Sequence, residues 1–229
     1  MHVTEKVGGT RRYSVLLLVL TVLSSTSISA RSPKFVSPVL LTAGDIPYPV
    51  ASIASGIVSV TVNLDAAGQL QSVQVLRDIP SLTSPTVAAI KQWTFAPGKL
   101  DDNPVPSSLN VSVVFNPAVL QTRRLALPSV QPAPPPHPQG YLPPEISAAF
   151  YANYPPNSVA TGAVVLNVVV GDSDQIRKVS TIRAIPSLTS QARAAVNAWS
   201  FNSATFQGKA IESDVIIGFV FRSPAAGSP

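Results

Sequence analysis

The sequence contains no cysteine, which excludes disulfide bonds, thiolate zinc sites and a cysteine nucleophile. Histidine is scarce as well: the two histidines are His2, near the N-terminus, and His137, in a proline-rich segment. Neither has a carboxylate or hydroxyl partner fixed by local structure. We therefore expect no histidine-based catalytic triad and no metal cluster.

Charged residues are also few, at 12% of the 229 residues, about half the usual share. Lys and Arg exceed Asp and Glu, 16 to 11, but they form no basic stripe with interleaved aromatic residues, so nucleic-acid binding is not expected. The close acidic sets, Asp101-Asp102 and Asp172 with Asp174, fall in predicted turns, where Asp bonds its own backbone. With no phosphate-binding glycine loop either, the sequence predicts a non-enzymatic protein without a cofactor.

The first thirty residues have the composition of an export signal. Lys6, Arg11 and Arg12 precede the apolar run 15–23, and small residues follow as far as Ala30. This order predicts a secretory signal peptide over residues 1–30. The alternative is an uncleaved anchor, although a spanning helix needs about 20 apolar residues. Both interpretations place the rest of the chain in the periplasm, with membrane contact only if the segment is uncleaved.

The remainder of the chain is a duplication. The segment Ile79–Ser84 recurs letter for letter as Ile185–Ser190, an offset of 106 residues. At that offset, without a gap, 23 of the 68 positions from 48 to 115 match their partner, which chance does not give. We predict module 1 over residues 34–117, a proline-rich linker over 118–141 and module 2 over 142–223. The linker contains Pro134-Pro135-Pro136 and favours polyproline II, a semi-rigid spacer.

Each module contains segments with the alternating pattern of a strand and one segment with the spacing of a helix. In the first copy, the apolar residues of 58–64 alternate with polar ones, which predicts a strand with one buried face. A turn at Asp65–Gly68 and a second strand, Leu70–Leu76, follow. A helix is then predicted with Ser84 as its N-cap and Pro85 in its first position.

That helix carries an apolar stripe with the spacing i, i+3, i+4, i+7, formed by Thr86, Ala89, Ile90 and Trp93, and in the second copy by Ala192, Ala195, Val196 and Trp199. A last alternating strand ends each copy. The predicted fold class is α+β: two tandem two-layer modules, each a three-stranded antiparallel sheet with helices packed on one face.

The order of these elements resembles the C-terminal domain of TonB-type energy transducers. The resemblance rests on Tyr48-Pro49, Gly56, the hairpin turn Asp65–Gly68 and the helix exit Trp93–Lys99, and it recurs in the second copy. It implies structural anchors at Tyr48, Gly56, Trp93, Phe95, Tyr154, Gly162, Trp199 and Phe201.

The resemblance also implies partners, namely envelope proteins or extended segments of outer-membrane transporters. Asn103 to Thr122 carries no charge, and an unprotected strand at a sheet edge invites addition of a partner strand. The predicted partner-binding edge residues are Leu109, Val111, Val113 and Phe115, with Val215, Ile217, Phe219 and Phe221 in the second copy.

The sequence leaves two functions open. One is a TonB-like protein that couples to outer-membrane transport through strand addition. The alternative is a freestanding periplasmic scaffold whose two modules pair with each other and transduce no energy. The apolar run near the N-terminus lacks the histidine that the anchors of energy transducers carry. Its absence argues against proton-driven coupling and favours the second function.

Overall fold

The computed structural model describes residues 1, 2, 4, 33–117, 123–129 and 140–223. The predicted signal peptide lies almost entirely outside these residues, as does most of the predicted linker. Residues Pro33–Pro229 form one compact unit. Among the described residues, no helix is long and apolar enough to cross a membrane.

The elements follow the same order in the two halves. The first half contains β1 (Phe35–Val36), β2 (Val39–Thr42), β3 (Gly56–Leu64), β4 (Leu70–Arg77), α1 (Pro80–Ile90), β5 (Thr94–Ala96), β6 (Gly98–Leu100), β7 (Asn103–Val105) and β8 (Ser107–Phe115). The second half contains β9 (Tyr141–Leu142), β10 (Glu145–Ala148), β11 (Gly162–Val170), β12 (Ile176–Arg183), α2 (Pro186–Val196), β13 (Ser200–Asn202), β14 (Ala204–Phe206), β15 (Lys209–Ile211) and β16 (Ser213–Phe221).

The centre of the fold is a six-stranded sheet to which both halves contribute. Its strand order is β12-β11-β16-β8-β3-β4. Within each half the pairing is antiparallel, but β8 and β16 pair in parallel, from Val111 opposite Ile216 to Phe115 opposite Val220. The fold class is α+β. The two three-stranded groups expected from the sequence are thus halves of one continuous sheet.

The two helices cover opposite faces of this sheet. Val58, Val60 and Val62 of β3 pack in the core beneath α1, whereas Ile57 of the same strand packs in the core beneath α2. Because successive side chains of a strand point to opposite faces, the two cores lie on the two sides of the sheet. Each half therefore has one face covered by its own helix.

The remaining face of each half is covered by a segment of the other half. Ile46 lies beside Gly218 and belongs to the α1-side core, where Val165 and Ile216 of the second half also pack. On the opposite side, Ile146 lies near the polar residues of β3 and β8. Both central strands of each half are therefore buried on both faces.

The expectation of a single buried face for β3 was wrong for this reason. Ser59 and Thr61 are each only 1% exposed. The hydroxyl of Ser59 bonds that of Ser112 at 2.7 Å, and Thr61 donates to Asn110 Oδ1 at 2.8 Å. Polar side chains that bond one another across neighbouring strands can be buried without leaving unsatisfied groups.

Helix α1 begins earlier than the sequence predicted. Its N-cap is Ile79, Pro80 occupies the first turn, and Pro85 lies inside the helix. Thr83 Oγ1 accepts a bond from Ile79 N at 3.0 Å, which satisfies a donor at the helix start without the predicted Ser84 cap. Thr189 repeats this contact in α2, with a bond of 2.9 Å from Ile185 N.

The predicted apolar stripes are confirmed. The buried helical residues are Leu82, Thr86, Ala89 and Ile90 in α1 and Leu188, Ala192, Ala195 and Val196 in α2. Trp93 and Trp199, one turn further along, are each 5% exposed. A stripe of this width fixes the helix against its sheet face.

Candidate functional site

The structure places the eight predicted partner-binding residues inside the sheet. Strand β8 is paired with β3 on one side and with β16 on the other, and β16 lies between β11 and β8. The prediction that these are edge strands was therefore wrong: each is the neighbour that covers the other, and their backbone groups are used within the chain. Their role in binding a partner stays a prediction, and it requires β8 and β16 to separate.

A polar cluster joins the halves near the start of β16. Asp214 accepts hydrogen bonds of 2.6 Å from Ser37 Oγ and from Asn167 Nδ2. Ser37 belongs to the first half, and Asn167 and Asp214 to the second. This carboxylate therefore holds the crossing segment between β1 and β2 against the opposite half.

A second carboxylate has the same role further along the chain, between β2 and β3. Asp45 Oδ1 accepts a bond of 3.1 Å from the backbone N of Ala163 and lies 3.1 Å from Arg183 Nη2. Arg183 also donates to the carbonyl of Ala163. The pair is partly exposed, so its contribution is about 1 kcal/mol or less.

Arg77 makes the corresponding contact on the other side of the sheet. The side chain is buried, and it donates to the carbonyls of Pro128 and Ile146, at 3.2 and 3.4 Å. Burial lowers the pKa of the Arg77 guanidinium from its ordinary value, and the nearby Glu145 acts in the opposite direction. A buried cation that bonds two carbonyls of the linker and the second half restricts how the halves can move apart.

An aromatic cluster closes one end of the interface. Phe35 of the first half stacks on Tyr141 and Phe206 of the second, with centroid distances of 4.3 and 5.3 Å. Tyr141 is 1% exposed, and its hydroxyl bonds that of Ser213. Burial raises the pKa of Tyr141 well above its ordinary value. Contacts of this kind belong to a packed core rather than a loose domain contact.

The predicted anchors occupy matching places in the two halves. The Tyr48 hydroxyl donates to the carbonyl of Ala54, and Tyr154 donates to Ala160 at 2.8 Å. Gly56 and Gly162 begin β3 and β11. The remaining anchors, Trp93, Phe95, Trp199 and Phe201, are all buried.

The true edges of the six-stranded sheet are β4 and β12, and they differ in charge. Strand β4 is uncharged from Leu70 to Leu76, whereas β12 carries Arg177 and Lys178. Charged side chains protect an edge against strand pairing, so β4 is the less protected edge. This charge difference is visible in the sequence at the second strand of each repeat, whereas the predicted edge was the last strand.

A groove of about 610 Å³ lies beside the β4 edge. Its walls are the turn and first residues of β4, the outer side of α1 and the start of β5. The lining residues used below are Leu70, Val73, Val87, Lys91 and Trp93. The groove has a mixed apolar and polar surface and one cation, Lys91.

The described residues offer no metal site: no group of three or more His, Asp or Glu side chains is placed to hold an ion. The close acidic residues lie in turns, as predicted, but the Asp101 and Asp174 carboxylates bond distant segments rather than their own turn backbone. Asp101 and Asp102 have positive φ in the β6–β7 hairpin, and Asp174 bonds the backbone N of Ser203 at 2.6 Å.

Residues 48–117 match the family model of the Gram-negative bacterial TonB protein C-terminal domain. The match covers the first half, from Tyr48 to the end of β8, and supports the resemblance predicted there. Domains of this family are non-enzymatic and serve energy transduction and protein interaction. No curated protein and no solved structure matches the chain.

Proposed function

We propose that this protein is a non-enzymatic interaction protein of the periplasm, a scaffold whose two TonB C-terminal-like modules pair with each other. The observation that carries the proposal is the parallel pairing of β8 with β16. This pairing uses the strand edge that a single module would leave free. In this function the N-terminal segment directs export of the chain, and the protein transduces no energy.

The crossing contacts support a permanent pairing. Ser37, Asp45 and Phe35 of the first half all bond or stack on the second half, and Arg77 holds residues beyond the first module. An interface with a buried aromatic stack and hydrogen bonds between side chains of the two halves resembles the interior of one domain. Such halves are not expected to exchange between open and closed forms without unfolding.

Native-state hydrogen exchange tests this scaffold. In the purified protein, amides of Leu109–Phe115 and Val215–Phe221 should exchange only through global unfolding, while amides at the outer edges of β4 and β12 exchange sooner. Exchange of β8 as fast as that of β4 would contradict the pairing.

The second candidate function is coupling to outer-membrane transport by strand addition at β8 or β16, and the family match favours it. Here a segment of an outer-membrane transporter would displace one half from the other. A transporter peptide should then speed exchange in both strands, because each loses a neighbour. Unchanged exchange at a peptide concentration that saturates binding would reject this candidate.

A further inference from the structure

The two halves present unequal grooves between their outer strand and their helix. In the second half, Arg193 of α2 donates to the carbonyl of Val179 at 2.9 Å and lies 3.5 Å from Thr181 Oγ1. The guanidinium therefore lies across the β12 edge. The position equivalent to Arg193 in the first half is Val87, which cannot donate a hydrogen bond.

The open groove beside β4 has the surface that an extended peptide requires. Leu70, Val73 and Val87 are half-buried and pack against the edge of the α1-side core, so a partner's apolar side chain can complete that packing. The uncharged outer strand beside them offers backbone groups for pairing. Main-chain bonds would supply affinity, and the groove would select the side chain.

The charge of the groove favours a partner that carries an acidic residue. Lys91 is exposed on the groove wall and makes no ion pair within the described part of the chain, and none of the groove-lining residues is acidic. In the second half this position is Asn197. A carboxylate in the partner would therefore find a free cation beside the first groove and a neutral amide at the equivalent place in the other half.

We propose that the β4–α1 groove binds an extended peptide segment of another protein, with an apolar side chain against Val73 and Val87 and an acidic residue beside Lys91. This inference rests on the proposed interaction role but not on the pairing of β8 with β16. It makes the two halves functionally different: the first captures a partner, and the second is closed by Arg193.

The test uses a fluorescent peptide of alternating valine and threonine with one central glutamate, and a matched peptide with glutamine. Anisotropy on the purified protein should show binding of the glutamate peptide, about two- to fivefold tighter than that of the glutamine peptide. Lys91→Asn should remove this preference. Hydrogen exchange should slow in Leu70–Leu76 and not in β12. Slowed exchange in β12 alone would overturn the proposal.

Val87→Arg places in the first half the residue that covers the outer strand of the second half. It should weaken peptide binding by at least about tenfold. Ala88→Arg adds the same charge at an exposed neighbouring position outside the groove and should bind as the wild type does. Arg193→Val should leave the affinity at β4 unchanged. Equal binding by the Val87→Arg and Ala88→Arg proteins, both folded by circular dichroism, would overturn the proposal.

Two further readouts separate the alternatives. If sedimentation shows self-association that Val87→Arg abolishes, and the peptide does not bind, the occupant is a second copy of the chain and the proposal is wrong. If the peptide fails to bind while β8 and β16 remain protected from exchange, the groove proposal fails and the paired scaffold stands.

Discussion

Ser37 Oγ donates a hydrogen bond of 2.6 Å to Asp214 Oδ2, joining side chains 177 positions apart in the sequence. Asn167 occupies the other oxygen of the same carboxylate, at 2.6 Å. The bond ties the N-terminal crossing segment of one half to the last strand of the other. It links the two halves directly, and neither residue belongs to the paired stretch of β8 and β16.

Replacing Ser37 with Ala removes this link and should lower the free energy of unfolding by about 1–3 kcal/mol, because Asp214 loses a partner in a part-buried place. Urea unfolding measures the change. Ser173→Ala, which removes an exposed bond to Asp172, is the matched control and should change stability by less than about 0.5 kcal/mol. Equal effects of the two substitutions would show that the link contributes nothing specific.

The buried Ser59–Ser112 pair predicts a non-additive mutant cycle. Ser112→Ala alone leaves the Ser59 hydroxyl buried without its partner and should cost about 1–3 kcal/mol. The double Ser59→Ala, Ser112→Ala protein should cost less than the two single changes together, because no buried hydroxyl remains unpaired. Additive costs, measured by urea unfolding, would contradict the bond as the reason that this face can be buried.

The same pair shows where sequence reasoning reached its limit. Alternation correctly located β3, since Val58 and Val62 do face the core. The same alternation predicts that the polar residues between them face solvent. A sequence gives the same pattern whether a hydroxyl bonds water or another side chain across the sheet. Only the path of the second half over this face distinguishes the two.

Prediction of the candidate site failed for the same reason, because it depends on contacts between residues far apart in the sequence. The helix stripes and the buried tryptophans follow from local periodicity, and the repeat follows from the match between the two halves at an offset of 106 residues. That β8 is paired on both sides depends on how the two halves meet, and no local pattern records it. The difference between Val87 and Arg193 is visible at the repeat offset. Its effect on the two grooves could not be predicted, because the sequence does not show that both residues lie beside an outer strand.

Gly68 should be more sensitive to substitution than Gly208. Both adopt positive φ, +79° and +77°. A Cβ on Gly68 would lie 2.6 Å from the carbonyl oxygen of Phe95, whereas a Cβ on Gly208 meets nothing within 4 Å. We expect Gly208→Ala to cost about 1–2 kcal/mol from backbone strain alone, and Gly68→Ala to cost about 1–3 kcal/mol more. Thermal unfolding of the two variants compares them; similar costs would mean that the Phe95 contact relaxes freely.

The second hairpin turn should respond to acid through Asp174. Hydrogen bonds from the Ser203 side chain and backbone lower the pKa of Asp174 below its usual 3.8. Because the folded pKa is the lower one, the stabilising contribution is complete above the unfolded value and is lost as the pH falls through the folded value. In Ser203→Ala the pKa of Asp174, measured by NMR, should rise toward 3.8, and the stability lost below about pH 4 should be smaller. An unchanged pKa would show that Ser203 Oγ is not the cause.

The two tryptophans should differ when each is replaced by Phe, although both are 5% exposed. Trp199 Nε1 donates to the carbonyl of Phe150 at 3.0 Å, whereas Trp93 Nε1 has no hydrogen-bond partner in the described residues. Both substitutions remove similar apolar volume, but only Trp199→Phe also breaks a bond. It should therefore cost about 1 kcal/mol more than Trp93→Phe in urea unfolding. An equal or larger cost for Trp93→Phe would mean that its indole N–H finds a partner in solution.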